Sequence, residues 1–146
     1  MRTHSYTALC ASVVAQMGAL EALRSCEPEM RAMIAAYDQR RRVFVAGLRE
    51  IGLPCVEPKG AFYAFPSIEH TGLSAQQFAR ALLFEDGVAA VPGDAFGASG
   101  RGYLRCTYAT GLDQLKQALA RMARFLDKLA SGKLSNATAD GLTAPG

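Results

Sequence analysis

The 146-residue sequence predicts an α+β domain of two layers, a small mixed or antiparallel sheet covered on one face by helices. Three observations lead there. Apolar residues recur at three- and four-residue steps in the order helix, long helix, helix, last helix. Short aromatic or β-branched runs fall between the helices. Two of those runs flank a return rich in glycine and proline, Pro92 to Gly102, of hairpin type.

Met1 to Cys10 is short and without period. Ala11 to Arg24 sets Val13, Val14, Met17, Leu20 and Leu23 on one helical face. Pro28, between Glu27 and Glu29, marks the next helix entry, because proline suits a first turn and acids favour the positive end of the dipole. That helix carries Met30, Met33, Ile34, Tyr37, Phe44, Leu48 and Ile51 until Gly52 and Pro54 stop it, and its stripe reads as plain core. Cys55 to Glu57 reads as a brief strand, and Ala61 to Phe65 as a second on aromatic propensity. Alternation sets Phe62 against Ala61 and Tyr63, so one aromatic set fills the core and the other faces out or toward a cleft. Which does which stays open.

Ser74 with Gln77 is a capping box ahead of Phe78, Leu82 and Leu83, on a helix ending at Gly87. Val88 to Val91 then reads as a strand stopped by Pro92-Gly93. The loop to Gly102 has four glycines, but it opens a strand and not a helix, so it fails as a nucleotide-phosphate fingerprint. It reads as a substrate-side loop. Tyr103 to Tyr108 is the last strand, and Thr110 with Asp113 is expected to cap the final helix, striped by Leu112, Leu115, Leu119, Met122, Leu126 and Leu129. From Gly132 onward the composition predicts a disordered tail.

Composition narrows the function. A formal charge of +3 is mild, and the basic run Arg40-Arg41-Arg42 lies in a helix pattern near Asp38 and Glu50, a solvated face and no nucleic-acid site. Cys10, Cys26, Cys55 and Cys106 are too scattered for a metal site or disulfide framework, and read as reduced, mostly buried thiols. No long apolar run or signal-peptide pattern opens the chain, so no membrane partner is expected and the place is the cytoplasm.

Arg105 is the charged residue in an unexpected setting, between Leu104 and Cys106, on the strand face shared by Tyr103 and Thr107. Either it pairs with a carboxylate of its own chain or lies on an edge strand with a wet outer face, or its planar fork grips a ligand carboxylate.

Three ordered blocks decide the expectation: P-x-G-A-F-Y-A-F-P from Pro58, G-V-A-A-V-P-G-D-A-F-G from Gly87, and G-Y-L-R-C-T-Y-A from Gly102. Together they resemble the C-terminal part of class I aminotransferases, the pyridoxal-phosphate enzymes of aspartate aminotransferase type, from about Thr3 to Leu129. The resemblance implies the small domain of the fold type I transferases. It places residues 1–26 as a remnant of the large domain with its lead-in helix, 27–131 as the small domain and 132–146 as the tail. Met1 then looks like an internal methionine of a longer family sequence. The resemblance also implies that Arg105 binds the substrate's α-carboxylate and that Phe62 lines the substrate pocket.

The cofactor implied is pyridoxal 5'-phosphate, the substrates an amino acid and a 2-oxo acid, and the partners a large domain or a second subunit. The family's cofactor-bonding lysine matches none of Lys59, Lys116, Lys128 or Lys133. No catalytic, cofactor-binding or metal residue is therefore expected here, and the chain alone is expected not to turn over. The other reading is a non-catalytic binding or interaction module that kept the fold.

Overall fold

A computed structural model describes Thr7 and residues 10–134. Helices α1 (Val13–Ser25) and α2 (Glu27–Glu50) precede β1 (Tyr63–Ala64), α3 (Ala75–Asp86), β2 (Val91–Pro92), β3 (Leu104–Thr107) and α4 (Leu112–Ala130). Tight turns of 3-10 type occupy Glu69–Thr71, Gly93–Phe96 and Ala98–Gly100. The chain divides into two compact units, Met1–Ala36 and Tyr37–Gly146.

In the first unit, the Ser12 hydroxyl caps α1 by accepting from the Ala15 N–H at 3.2 Å. No described residue of this unit is buried, and Val14 and Leu23 are 82% and 87% exposed. Met30, Met33 and Ile34 on α2 are also exposed, so the stripe expected as core along the whole helix is core only from Phe44 onward. An apolar stripe becomes core only where a second apolar surface meets it.

The second unit contains a three-stranded antiparallel sheet in the order β1-β3-β2. Tyr63 opposes Thr107 and Ala64 opposes Cys106, while Val91 and Pro92 oppose Arg105 and Leu104. Ala64, Leu104 and Cys106 are buried in one core with Phe44 and Leu48 of α2, Phe78 and Leu82 of α3, and Leu115, Met122 and Phe125 of α4. The Phe78 and Phe125 rings meet edge to face at 5.1 Å, locking α3 on α4. A buried Asp86 at the end of α3 accepts from Arg124 Nε at 2.5 Å and Lys128 Nζ at 3.1 Å. Those two cations compensate a carboxylate at the wrong end of a helix dipole.

The strands are shorter than the sequence suggests, each for a local reason. Cys55–Glu57 forms a single bridge, Cys55 to Pro66, because the Arg49 guanidinium takes the Cys55 carbonyl and Glu57 turns to Arg41. Ala61 has φ +57°, a left-handed conformation that stops a strand, so β1 begins at Tyr63 and not at Ala61. Val88 donates its N–H to Leu82 O in the turn that closes α3, and pairing begins only at Val91. Pro92 does not stop β2. It sits in it, tolerated because β2 is an edge strand.

The capping box of Ser74 and Gln77 is present and Gly87 ends α3 in the left-handed conformation. Thr110 and Asp113 do not cap α4. Gly111 occupies the cap position with no side-chain bond, and the Thr110 hydroxyl bonds Gln114 instead. Cys55 and Cys106 are buried, whereas Cys10 and Cys26 are exposed, which corrects the expectation of mostly buried thiols. The predicted tail beyond Leu134 lies outside the described residues, as does most of Met1 to Cys10.

Candidate functional site

Arg105 stands on the central strand of the sheet, which removes the edge-strand explanation for its charge. Its neighbours Leu104 and Cys106 point into the core, so Arg105 projects from the opposite face and is half-buried. Among the described residues no carboxylate pairs with it, and no protein acceptor takes any of its guanidinium N–H donors. It is held instead by rings. Its Cζ lies 3.8 Å from the centroid of Phe96 and 4.4 Å from that of Tyr63.

The register explains the meeting. Because Tyr63 faces Thr107 across the ladder, Tyr63 lies diagonal to Arg105 on the same face. Phe65 falls opposite Arg105 and takes the edge of the Phe96 ring at 6.2 Å. Phe62, 39% exposed, tilts against Tyr63 at 4.6 Å and stacks on Tyr37 at 6.1 Å. Phe62 and Arg105 are thus joined through one ring, in a row that runs Tyr37, Phe62, Tyr63, Arg105, Phe96, Phe65.

The approach to Phe62 is pinned from both sides. The Tyr108 hydroxyl donates to Ala61 O at 3.0 Å and the Tyr108 N–H to Phe62 O at 3.0 Å. Upstream, Arg41 of α2 bonds Asp38 at 2.6 Å and also Glu57. The Arg41 guanidinium holds both carboxyls below their ordinary range. On the core side, burial pushes the Cys106 thiol up to about 12, and burial also raises the Tyr108 hydroxyl.

Phe96 is presented by a loop that closes on itself. A Cβ added to Gly100 would lie 2.0 Å from Gly93 O, and one on Gly93 would lie 2.4 Å from Gly100 O, so only glycine lets these backbones touch. Gly93, Gly97, Gly100 and Arg101 spend their N–H groups on Tyr103, Asp94, Gly97 and Ala98 carbonyls. Those four N–H groups are thereby taken up within the loop and its strand.

The residues do not fit pyridoxal phosphate. Lys128 is engaged by Asp86 and Glu85, and Lys59, Lys116 and Lys133 are exposed. Two grooves, of about 370 Å³ beside Gly87, Cys106 and Arg121 and about 470 Å³ beside Arg49, Cys55 and Tyr103, include neither Arg105 nor Phe62. The arrangement that can do chemistry is the open cation and its rings: it can bind a planar anion and cover an apolar group beside it.

Phe96 carries no role in the sequence reading, and Tyr63 only a place by resemblance at the edge of the substrate pocket, with no link to Arg105. Phe96 is the lone aromatic in the glycine-rich loop, a signal that was visible. For Tyr63 nothing short of the strand register would have paired it with Arg105.

Comparison with known proteins follows the same segment. The family described as Aminotransferase class I and II matches residues 1–122. YugH of Bacillus subtilis (strain 168) is 51% identical over 128 residues, 88% of this chain and 33% of that protein. Aspartate aminotransferase of Pyrococcus abyssi (strain GE5 / Orsay) is 45% identical over 124 residues, 83% of this chain and 32% of that protein. The solved aromatic aminotransferase from Pyrococcus horikoshii OT3 superposes with a TM-score of 0.81 at 43% identity, covering 87% of this chain and 34% of that one. The chain spans about a third of the length of the curated relatives it matches.

Proposed function

The chain belongs to the aminotransferase class I and II family, and from that premise we propose that it is the C-terminal portion of a pyridoxal-phosphate-dependent aminotransferase, supplying the anchor for the substrate's α-carboxylate. On this reading residues 1–26 belong with a large domain, residues 27–131 form the small domain, and the substrates are an amino acid and a 2-oxo acid in a cytoplasmic enzyme. One observation carries it: Arg105 is half-buried on the central strand with every guanidinium N–H donor unused by the described residues.

A guanidinium without a partner is costly in a part-desolvated position, so an anion must complete it, and its fork matches a carboxylate by two parallel bonds. Phe62, one ring away, lines the space beside that carboxylate. The arginine binds and orients the substrate; the rings exclude water. Pyridoxal phosphate, when bound, supplies the electron sink for moving an amino group. On this reading that group is held mainly by the large domain.

The test uses the complete enzyme. Arg105→Lys keeps the charge and loses the fork; Arg105→Ala loses both. Each is expected to lower kcat/KM for amino acids by an amount equivalent to about 2–5 kcal/mol, against about 0–1 for a surface pair. Amines lacking the carboxylate should be barely affected. Equal loss on both substrates, with a lowered melting temperature, would show that Arg105 holds the fold and leave the chain as a binding module.

A further inference from the structure

We propose that Tyr63 and Phe96 are positioning residues that clamp the Arg105 guanidinium, fixing the carboxylate anchor without using any of its hydrogen-bond donors. The proposal rests on the carboxylate-anchor reading and adds how that anchor is aimed.

An arginine side chain has many rotamers, and a fork that must meet a carboxylate in one orientation loses affinity for each one it visits unbound. Proteins commonly hold such a side chain with a second carboxylate or a backbone carbonyl, but each of those takes N–H donors. Here no acceptor does so. The contacts made by the guanidinium are two ring faces, at 3.8 and 4.4 Å, which attract the cation through their negative faces and leave its N–H edge for a ligand.

The two rings come from different elements and do not touch one another among the ring contacts of this chain. Each is backed separately. Tyr63 is fixed in β1 and leans on Phe62; Phe96 is fixed by its edge on Phe65 and by a loop closed through Gly93 and Gly100. Phe96 is 49% exposed, and its ring contacts are with the Arg105 cation and with Phe65. A clamp of this kind acts equally on bound substrate and on the transition state. Its loss therefore raises KM and leaves kcat.

In the complete enzyme, Phe96→Leu and Tyr63→Leu are each expected to raise KM for amino acids by about tenfold, with kcat within about twofold and amines without a carboxylate unaffected. Phe96→Tyr and Tyr63→Phe, which keep a ring, should restore the wild-type KM. In an Arg105→Ala background Phe96→Leu should do nothing further. Titration with an unreactive carboxylate, 3-phenylpropanoate, should show the same weakening in binding alone.

The outcomes separate. If Arg105→Ala spares discrimination between amino acids and plain amines, the anchor reading fails, and the clamp with it. If Arg105→Ala abolishes discrimination while both leucine variants keep the wild-type KM and binding, the clamp fails and the anchor stands. A measurement on the unsubstituted protein covers the case of a variant that does not fold. The Arg105 Nε–H proton, identified by its loss in Arg105→Lys, should resonate upfield of a free arginine through ring current, and a free-arginine shift would overturn the clamp.

Discussion

Arg105 and Cys106 are adjacent residues with opposite fates, set by which way a central strand points them. Arg105 emerges among rings, while Cys106 enters the core, where desolvation lifts its thiol from 9.0 to about 12. A raised folded-state pKa stabilises the fold below the unfolded value and is lost as pH rises through the folded one. Between pH 9.0 and about 12, therefore, urea midpoints should fall, and fall less steeply in Cys106→Ala. At pH 8 an aromatic disulfide reagent should find the exposed Cys10 and Cys26 at once, and Cys55 and Cys106 only after unfolding. Four thiols reacting at one rapid rate in the native protein would contradict the burial.

At the scale of the element, the loop between β2 and β3 shows what its glycines are for. Gly100→Ala must push a Cβ into the Gly93 carbonyl, 2.0 Å away, so the loop opens and carries Phe96 with it. We expect a loss of about 1–3 kcal/mol in stability, read as a lower urea midpoint. Gly18→Ala is the contrast. It lies in the middle of α1 with nothing within 4 Å of an added Cβ, and should stabilise the helix by about 0.5–1 kcal/mol. The helices were legible because their signals are local: the Ser74 capping box and Gly87 stand as read, and the stripe of α4 holds at Leu115, Leu119 and Met122 but omits Phe125, which is fully buried. Strand ends were not, because β2 starts where β3 offers a partner and β1 starts where the backbone leaves its φ of +57° at Ala61.

At the scale of the molecule, one arginine ties the long helix to the segment leading into the candidate site. Arg41 depresses both Asp38 and Glu57, and depressed carboxyls stabilise the fold above their unfolded values of 3.8 and 4.5, losing that contribution as pH falls below them. Acid unfolding of the wild type should therefore be steeper below pH 4.5 than that of Arg41→Met, as followed by circular dichroism. The isolated chain mixed with pyridoxal phosphate is expected to show no amino transfer and no borohydride-trappable adduct at a single lysine. A stoichiometric adduct with turnover would overturn the reading of this chain as one portion of the catalytic unit. Amplification of α1's exposed stripe into a buried one on adding a large domain, seen as hydrogen-exchange protection at Val14 and Leu23, would accompany that reading.

The sequence by itself determined the helices, the antiparallel return and the family, because turn chemistry, helical period and ordered motif blocks are carried by residues near one another in the chain. It pointed to Arg105 because a charge between Leu104 and Cys106 breaks a local pattern. It left open whether that charge was paired and which aromatic faced it, and it placed Met30, Met33 and Ile34 in a core where they are in fact exposed. Those were decided by tertiary structure alone: the central place of β3 removed the edge, and the register set Tyr63 diagonal to Arg105. The contact of Gly93 with Gly100 then brought Phe96 over the guanidinium, through backbone pairings between residues that no sequence period links.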